Sequence, residues 1–224
     1  MIEELLRFFA SPGYREMTLT LLGEHVYLSL TPLVLGALLA LPLGRLAQRH
    51  HRLRGPILGA ASVVYTIPSL ALFVLIPGVL GTPLLSPINV IIALALYTAA
   101  LLMRPVLDAL ESVPGHVTAA ATAMGYRPWR RFVAVELPLA IPVLISAVRM
   151  ASVSNISLVS VGALIGIGGL GGLFTDGFER RYMVEILVGI VLTLLLALVV
   201  DLVLVGLRKL LTPWSRASKV VSEP

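Results

Sequence analysis

Cysteine is absent from the 224 residues. Disulfide staples, thiolate metal sites and cysteine nucleophiles are thereby excluded, and the redox compartment is left open. Charge is scarce as well: 13% of residues are Asp, Glu, Lys or Arg, against about 25% in an ordinary soluble domain. The scarcity is uneven, because no charged side chain occurs from Gly55 to Met103. Lysine is nearly missing, and the two present, Lys209 and Lys219, follow Arg208 and Ser218. The Gly-Lys pair of a phosphate-binding loop is therefore lacking, and no ATP binding or other cofactor is expected in this chain. What fills the sequence instead is apolar, with 58% hydrophobic residues and a mean hydropathy of +0.96. An apolar helix of roughly 20 residues crosses the hydrocarbon core of a bilayer, so the uncharged run alone holds two crossings. An all-α, polytopic membrane protein is expected.

Five crossings are predicted, at about 26–46, 57–76, 88–103 or a few residues beyond, 132–165 and 184–207. Pro77, Gly78, Gly81, Pro83 and Pro87 form a breaker cluster after the second, where the chain turns. The fourth segment is too long for one straight crossing; Pro138 and Pro142 mark where it enters the membrane, and the glycines after Ile165 where it leaves. Asp201 alone interrupts the fifth, close enough to Arg208 to be read as reaching the interface. Ahead of the first crossing, Ile2, Leu5, Leu6 and Phe9 fall at helical spacing and predict a short interfacial helix. Glu3, Glu4, Arg7, Arg15, Glu16 and Glu24 leave no apolar core there, so no cleavable signal is expected. The predicted organisation is an external segment 1–24, a transmembrane domain 25–208 with a cytoplasmic loop at about 112–136, and a cytoplasmic tail 209–224.

Charge sets the expected orientation. If the loop after the first crossing is cytoplasmic, then that loop, the stretch between crossings three and four, and the C-terminus carry 12 of the 17 Lys and Arg residues. The opposite orientation would break the positive-inside rule. The N-terminus is therefore expected outside and the C-terminus in the cytoplasm of a cell (plasma or inner) membrane. The sequence pI near 10.0 is read as a topology signal, and no nucleic-acid partner is expected.

The stretch from Val117 to Pro142 reads VTAAATAMGYRPWRRFVAVELPLAIP. Ala119 to Met124 is good helix-forming sequence, Gly125 suits the position after a helix end, and a basic aromatic turn follows. Such a helix is read either as a docking element for a peripheral subunit or as an ordinary amphipathic loop helix. Its spacing resembles the EAA loop of ABC importer permeases, in which Glu-Ala-Ala is followed after three residues by Gly and after nine more by Ile-x-Leu-Pro. Here the positions are Ala119-Ala120-Ala121, Gly125 and Val135-Glu136-Leu137-Pro138. Ala119 stands where the motif has its carboxylate, and Glu136 occupies a different position.

Within that superfamily the chain resembles the permease subunits of osmoprotectant importers, through YTIPSLALFVLIP (Tyr65 to Pro77), VELPLAIPVLISAVRMASV (Val135 to Val153) and GALIGIGGLGGLF (Gly162 to Phe174). The resemblance implies a type I ABC importer permease fold and a pathway for glycine betaine, choline, carnitine or similar quaternary amines. It further implies a second permease chain, the same or homologous, two ATPase subunits that bind ATP and Mg, an external solute-binding protein and surrounding membrane lipid. Ala119, Ala120, Ala121, Gly125, Tyr126, Trp129, Arg130, Leu137 and Pro138 are then the ATPase-coupling residues, although Tyr126 and Trp129 read equally as interfacial aromatics. An importer for an amino acid or another small solute is the alternative, and a non-transport membrane scaffold a more distant one. A membrane enzyme lacks support, because no intramembrane His, Cys or carboxylate pair is evident for metal or acid/base chemistry.

Gly166, Gly168 and Gly171 fit the dinucleotide pattern G-x-G-x-x-G, but an apolar membrane segment precedes them where that pattern needs a strand. With Gly169 they are read as a flexible or tightly turned external segment capping the pathway. Arg149 lies 11 residues beyond Pro138, about 16 Å along a helix, and an intramembrane charge is a functional candidate by default. Two readings stay open for it: a structural pairing with another helix or subunit, and a pathway position facing a solute carboxylate. Ser152, Ser154, Asn155, Ser157 and Ser160 are read as packing hydrogen bonds, with Ser154 and Asn155 kept as pathway candidates. Thr66, Pro68 and Ser69 are read as a kink and kept in the same group. His50 and His51 are read as solvated. The sequence contains no visible aromatic cation cage.

Overall fold

A computed structural model describes residues 2–214; residues 215–224, most of the predicted cytoplasmic tail and including Lys219, lie outside it. The described residues form ten α-helices and no strand. The first, α1 (Ile2–Ala10), is separated only by Ser11 from α2 (Pro12–Arg49). Pro12 starts α2 where its missing N–H costs nothing. At 38 residues α2 begins well before the predicted crossing at 26–46. On α1, Phe8 is buried and stacked on Tyr14 with centroids 4.5 Å apart, whereas Leu6 and Phe9 of the predicted face are exposed, and the side chains of its other two members, Ile2 and Leu5, lie outside the described residues.

The buried side of α2 carries Gly36, Ala40, Gly44 and Ala47 along one stripe. Small side chains at helical spacing let two backbones approach closely where no hydrophobic force separates helix from lipid. Helix α5 (Pro87–Glu111) lies against that stripe and is the enclosed centre of the bundle, with buried residues from Asn89 to Leu110. It continues past Met103 with Val106, Leu107, Ala109 and Leu110 buried, and Arg104 pairs with Asp108 one turn on across its exposed side, at 3.1 Å. The predicted second crossing is two helices, α3 (His51–Thr66) and α4 (Ser69–Leu80), bent by 104°. Pro68 drives the preceding Ile67 into extended geometry (φ −67°, ψ 129°). The Thr66 hydroxyl donates to the carbonyls of Val63 (2.7 Å) and Ser62 (3.1 Å) at the break. Beyond it, Leu72, Phe73 and Ile76 enter the core beside Leu94 and Val159.

After α5 come two short helices, α6 (Gly115–Ala123) and α7 (Pro128–Arg131). A π-helical turn, Phe132–Glu136, leads into α8 (Leu137–Gly162), so one helical path runs from Pro128 to Ile165. Two 3₁₀ turns and α9 (Gly172–Glu179) then connect to α10 (Met183–Leu211), which packs on α8 at the periphery. Four helices, α2, α5, the α7–α8 path and α10, are long and apolar enough to span a membrane, and the bent α3–α4 pair brings the number to five if it is taken as one broken span.

Candidate functional site

The predicted docking segment forms at one end of the bundle. Helix α6 ends at Met124, and Gly125 follows with φ +81°. The Gly125 N–H donates to the Thr122 carbonyl (3.0 Å) and the Tyr126 N–H to that of Ala121 (3.1 Å), the paired bonds of a Schellman end. Only Gly takes this φ without a Cβ penalty, which is why the chain can reverse there. Ala121 is the one buried residue of α6. Ala119 and Ala120 face outward, and Met124 and Trp129 are 70% and 72% exposed. Trp129 lies 5.8 Å from the Phe132 ring, and the Arg130 guanidinium sits over Tyr126. Leu137 and Pro138 open α8 directly below, both half-buried.

What anchors this segment is Glu136, which the loop motif does not mark. Its side chain is 3% exposed and receives both flanking cations. Arg45, near the end of α2, donates through Nη1 to Glu136 Oε2 and through Nη2 to Oε1, the latter at 3.3 Å. The same Arg45 lies on the Phe132 ring, 4.4 Å from its centroid, a cation–π contact. Arg131 donates through Nε to Glu136 Oε1 (2.8 Å) and through Nη1 to the Thr122 hydroxyl of α6 (2.8 Å). A polar chain thus runs α6, Arg131, Glu136, Arg45, α2. It extends to α5, because Arg45 also binds the side-chain oxygen of Gln48, whose Nε2 donates to the Leu110 carbonyl at 3.0 Å. Arg54 and Glu111 add a second tie between α3 and α5, at 2.7 Å. One signal in the sequence points to Glu136: it is the only carboxylate between Ser112 and Thr175. It faces inward and so leaves the surface position of the missing motif carboxylate unfilled.

In mid-bundle, Arg149 of α8 meets Asp201 of α10 in a two-pronged pair, Nε to Oδ1 at 2.6 Å and Nη2 to Oδ2 at 2.8 Å. Asp201 is therefore the counter-ion of Arg149. The pair is 52 positions apart in sequence, which hides it from any local reading. Asn155, by contrast, is a bolt between helices: Thr98 of α5 donates to its Oδ1 (3.0 Å), and its Nδ2 donates to the Ser29 carbonyl of α2 (3.3 Å). Ser152 turns back onto the Arg149 carbonyl, and Ser154 is half-buried. Thr66 and Pro68 are exposed at the bend, with Ser69 half-buried.

At the opposite end the glycine segment is tightly turned. Gly166 and Gly169 have φ of +81° and +49°, and Gly169, Leu170 and Gly171 are buried. No strand precedes them, so the dinucleotide pattern is fortuitous. A Cβ on Gly169 would stand 2.7 Å from the backbone of His25, so the absent side chain is what admits α2. Sequence reasoning missed His25, which lies within α2 and is fully buried. Its Nδ1 accepts from the Leu170 N–H (3.2 Å), which leaves Nε2 as the donor to the Ile156 carbonyl (3.0 Å). Both ring nitrogens are thereby engaged in joining α2, α8 and the glycine turn. No group of three or more His, Asp or Glu able to hold a metal occurs among the described residues. Glu24, Asp176 and Glu179 line the groove over this turn.

A polytopic helical bundle of four or five apolar spans, with a short exposed helix tied to α2 by ion pairs, has the fold of type I ABC importer permeases. The chain belongs to the family of binding-protein-dependent transport system inner membrane components, whose model matches residues 33–217. It is 36% identical over 197 residues to the osmoprotectant import permease protein OsmW of Salmonella typhimurium, covering 85% of this chain and 89% of that one. It is 30% identical over 191 residues to the glycine betaine/carnitine/choline transport system permease protein OpuCB of Bacillus subtilis, covering 85% and 87%. Its fold matches that of a chain from the inward-facing MetNI methionine ABC transporter, with a TM-score of 0.80 at 21% identity over 90% of this chain and 99% of that chain. Membership of a transport family displaces the scaffold alternative.

Proposed function

We propose that this chain is the transmembrane permease subunit of an ATP-driven importer for small osmoprotectant solutes such as glycine betaine, carnitine or choline. The names of its relatives supply the solute class. The observation that carries the mechanism is the ion-paired chain from α6 through Arg131 and Glu136 to Arg45. Met124, which caps α6, and Trp129 of α7 present apolar surface outward beside a helix that buries one residue of its own, which is a docking surface for a cytosolic ATPase. The arginine-rich end faces the cytoplasm, following the positive-inside rule. A push on α6 is delivered to α2 and α5 through charge-assisted bonds, which are about twice as strong as neutral ones. The bundle then rocks as a body and alternates access. A second permease chain completes the pathway, two ATPase subunits bind ATP and Mg, and an external binding protein delivers the solute. The acidic groove of Glu24, Asp176 and Glu179 lies at the external end, where a cationic solute arrives.

Co-purification tests this reading. The tagged chain, expressed with its ATPase and binding-protein partners, is expected to retain the ATPase, and the binding protein is expected to bind quaternary amines in preference to amino acids. Absence of the ATPase overturns the importer assignment; preference for amino acids overturns the solute class.

A further inference from the structure

Helix α10 exposes only aliphatic side chains from Ile190 to Val203, as a lipid-facing helix should. Helix α8 does not. Its exposed residues Val143, Ser146, Met150, Val153 and Ser157 fall on one stripe at alternating three- and four-residue spacing, and serines interrupt it. Arg149 flanks this stripe. It lies 12 residues into α8, about 18 Å along the helix, and Asp201 lies 10 residues, about 15 Å, before the end of the antiparallel α10. Both charges thus lie well inside two helices apolar enough to span a membrane, and their side chains remain 33% and 27% exposed. Of the five guanidinium N–H groups, two are spent on Asp201, and Nη1 has no acceptor among the described residues. A charged pair with unspent donors is strongly disfavoured against lipid tails, so the surface beside it is a polar pathway.

We propose that Arg149 and Asp201 form an intramembrane subsite for a zwitterion that carries both a carboxylate and a quaternary ammonium. This deepens the osmoprotectant reading and rests on it. The solute carboxylate accepts from the free Nη1 of Arg149, whose planar fork suits a carboxylate. The ammonium lies toward the Asp201 carboxylate. A quaternary nitrogen has no N–H and needs only a negative field, so it loses nothing when both Asp201 oxygens already accept from Arg149. The ammonium of an ordinary amino acid has three donors to satisfy, and Arg149 leaves only about two of the four lone-pair sites on the Asp201 oxygens, so at least one N–H finds no partner there. Met150 offers a polarisable thioether beside the pair for the methyl groups. The subsite therefore favours betaines over primary amino acids, and carboxylate-bearing amines over choline.

The test is glycine betaine moved per ATP hydrolysed by the complete complex in proteoliposomes. In the double variant Arg149→Met/Asp201→Leu both charges are replaced by apolar volume, a change that ion pairs used only for structure commonly tolerate. The expected result is an assembled complex with stimulated hydrolysis and at least a tenfold fall in betaine moved per ATP. An unchanged ratio means the pair is a structural clip and overturns the subsite. If the double variant fails to assemble, Arg149→Lys keeps the charge and removes the fork; a severalfold fall in the same ratio is expected, and a wild-type ratio overturns the proposal. If the wild-type complex moves no quaternary amine at all, the osmoprotectant reading fails, and the subsite falls with it.

Discussion

Replacing Glu136 by Gln separates the docking surface from its anchor. The variant keeps the size and one acceptor of the side chain and removes the charge on which Arg45 and Arg131 converge. Removing one partner of a buried ion pair costs about 3–5 kcal/mol. Arg45 is 12% exposed and Arg131 27%, so partial rehydration of the orphaned cations places the cost near the lower end, at about 3 kcal/mol. That is somewhat more than a hundredfold in the equilibrium between seated and detached α6. The outward residues Met124 and Trp129 are untouched, so the ATPase should still co-purify, while stimulation of hydrolysis by solute-loaded binding protein should fall at least tenfold. Because the chain contains no cysteine, Ala119→Cys gives a unique label on α6, and its mobility should rise in the Glu136→Gln background. Stimulation within twofold of wild type, with an immobile label, would refute the reasoning, for Glu136 would then be a local packing residue that transmits nothing.

Other consequences follow from the same geometry. Gly125→Ala places a Cβ at φ +81° and should cost about 1–2 kcal/mol in the complex, read as a lower melting temperature together with weaker ATPase retention; unchanged values of both would contradict the Schellman end. Met124→Asp combined with Trp129→Ala changes two residues that are at least 70% exposed, so the melting temperature of the permease alone should hold while ATPase co-purification is lost. His25→Leu strands the Leu170 N–H, with a cost of about 1–3 kcal/mol for an unsatisfied buried donor. His25→Asn, which keeps an acceptor and a donor, should recover part of it in a thermal melt; equal losses in the two variants would argue against the hydrogen-bond account.

The helical segments were legible because their signals are local. Uncharged runs, the Pro77 to Pro87 breaker cluster and the Gly125 stop each act through their own backbone. The kink at Pro68 was legible for the same reason, but its 104° angle depends on Leu72 and Phe73 finding the α5 core, which no neighbouring residue specifies. The ion pairs were not legible. Arg45 and Glu136 are 91 positions apart, and Arg149 and Asp201 are brought together only when α10 folds back on α8. His25 was passed over because the apolar run begins at Val26, whereas the helix containing both begins at Pro12. Its burial follows from the close approach of Gly169, a tertiary event.

The central claim is that this chain carries osmoprotectants across a membrane at the expense of ATP hydrolysed by partners docked on α6. It is tested most directly by uptake of labelled glycine betaine into proteoliposomes that hold the chain with its ATPase and its binding protein. The account predicts uptake that requires ATP, the binding protein and an intact docking segment, and that stops in the Met124→Asp/Trp129→Ala variant. Uptake that proceeds without ATP, or that survives loss of the docking surface, would contradict it.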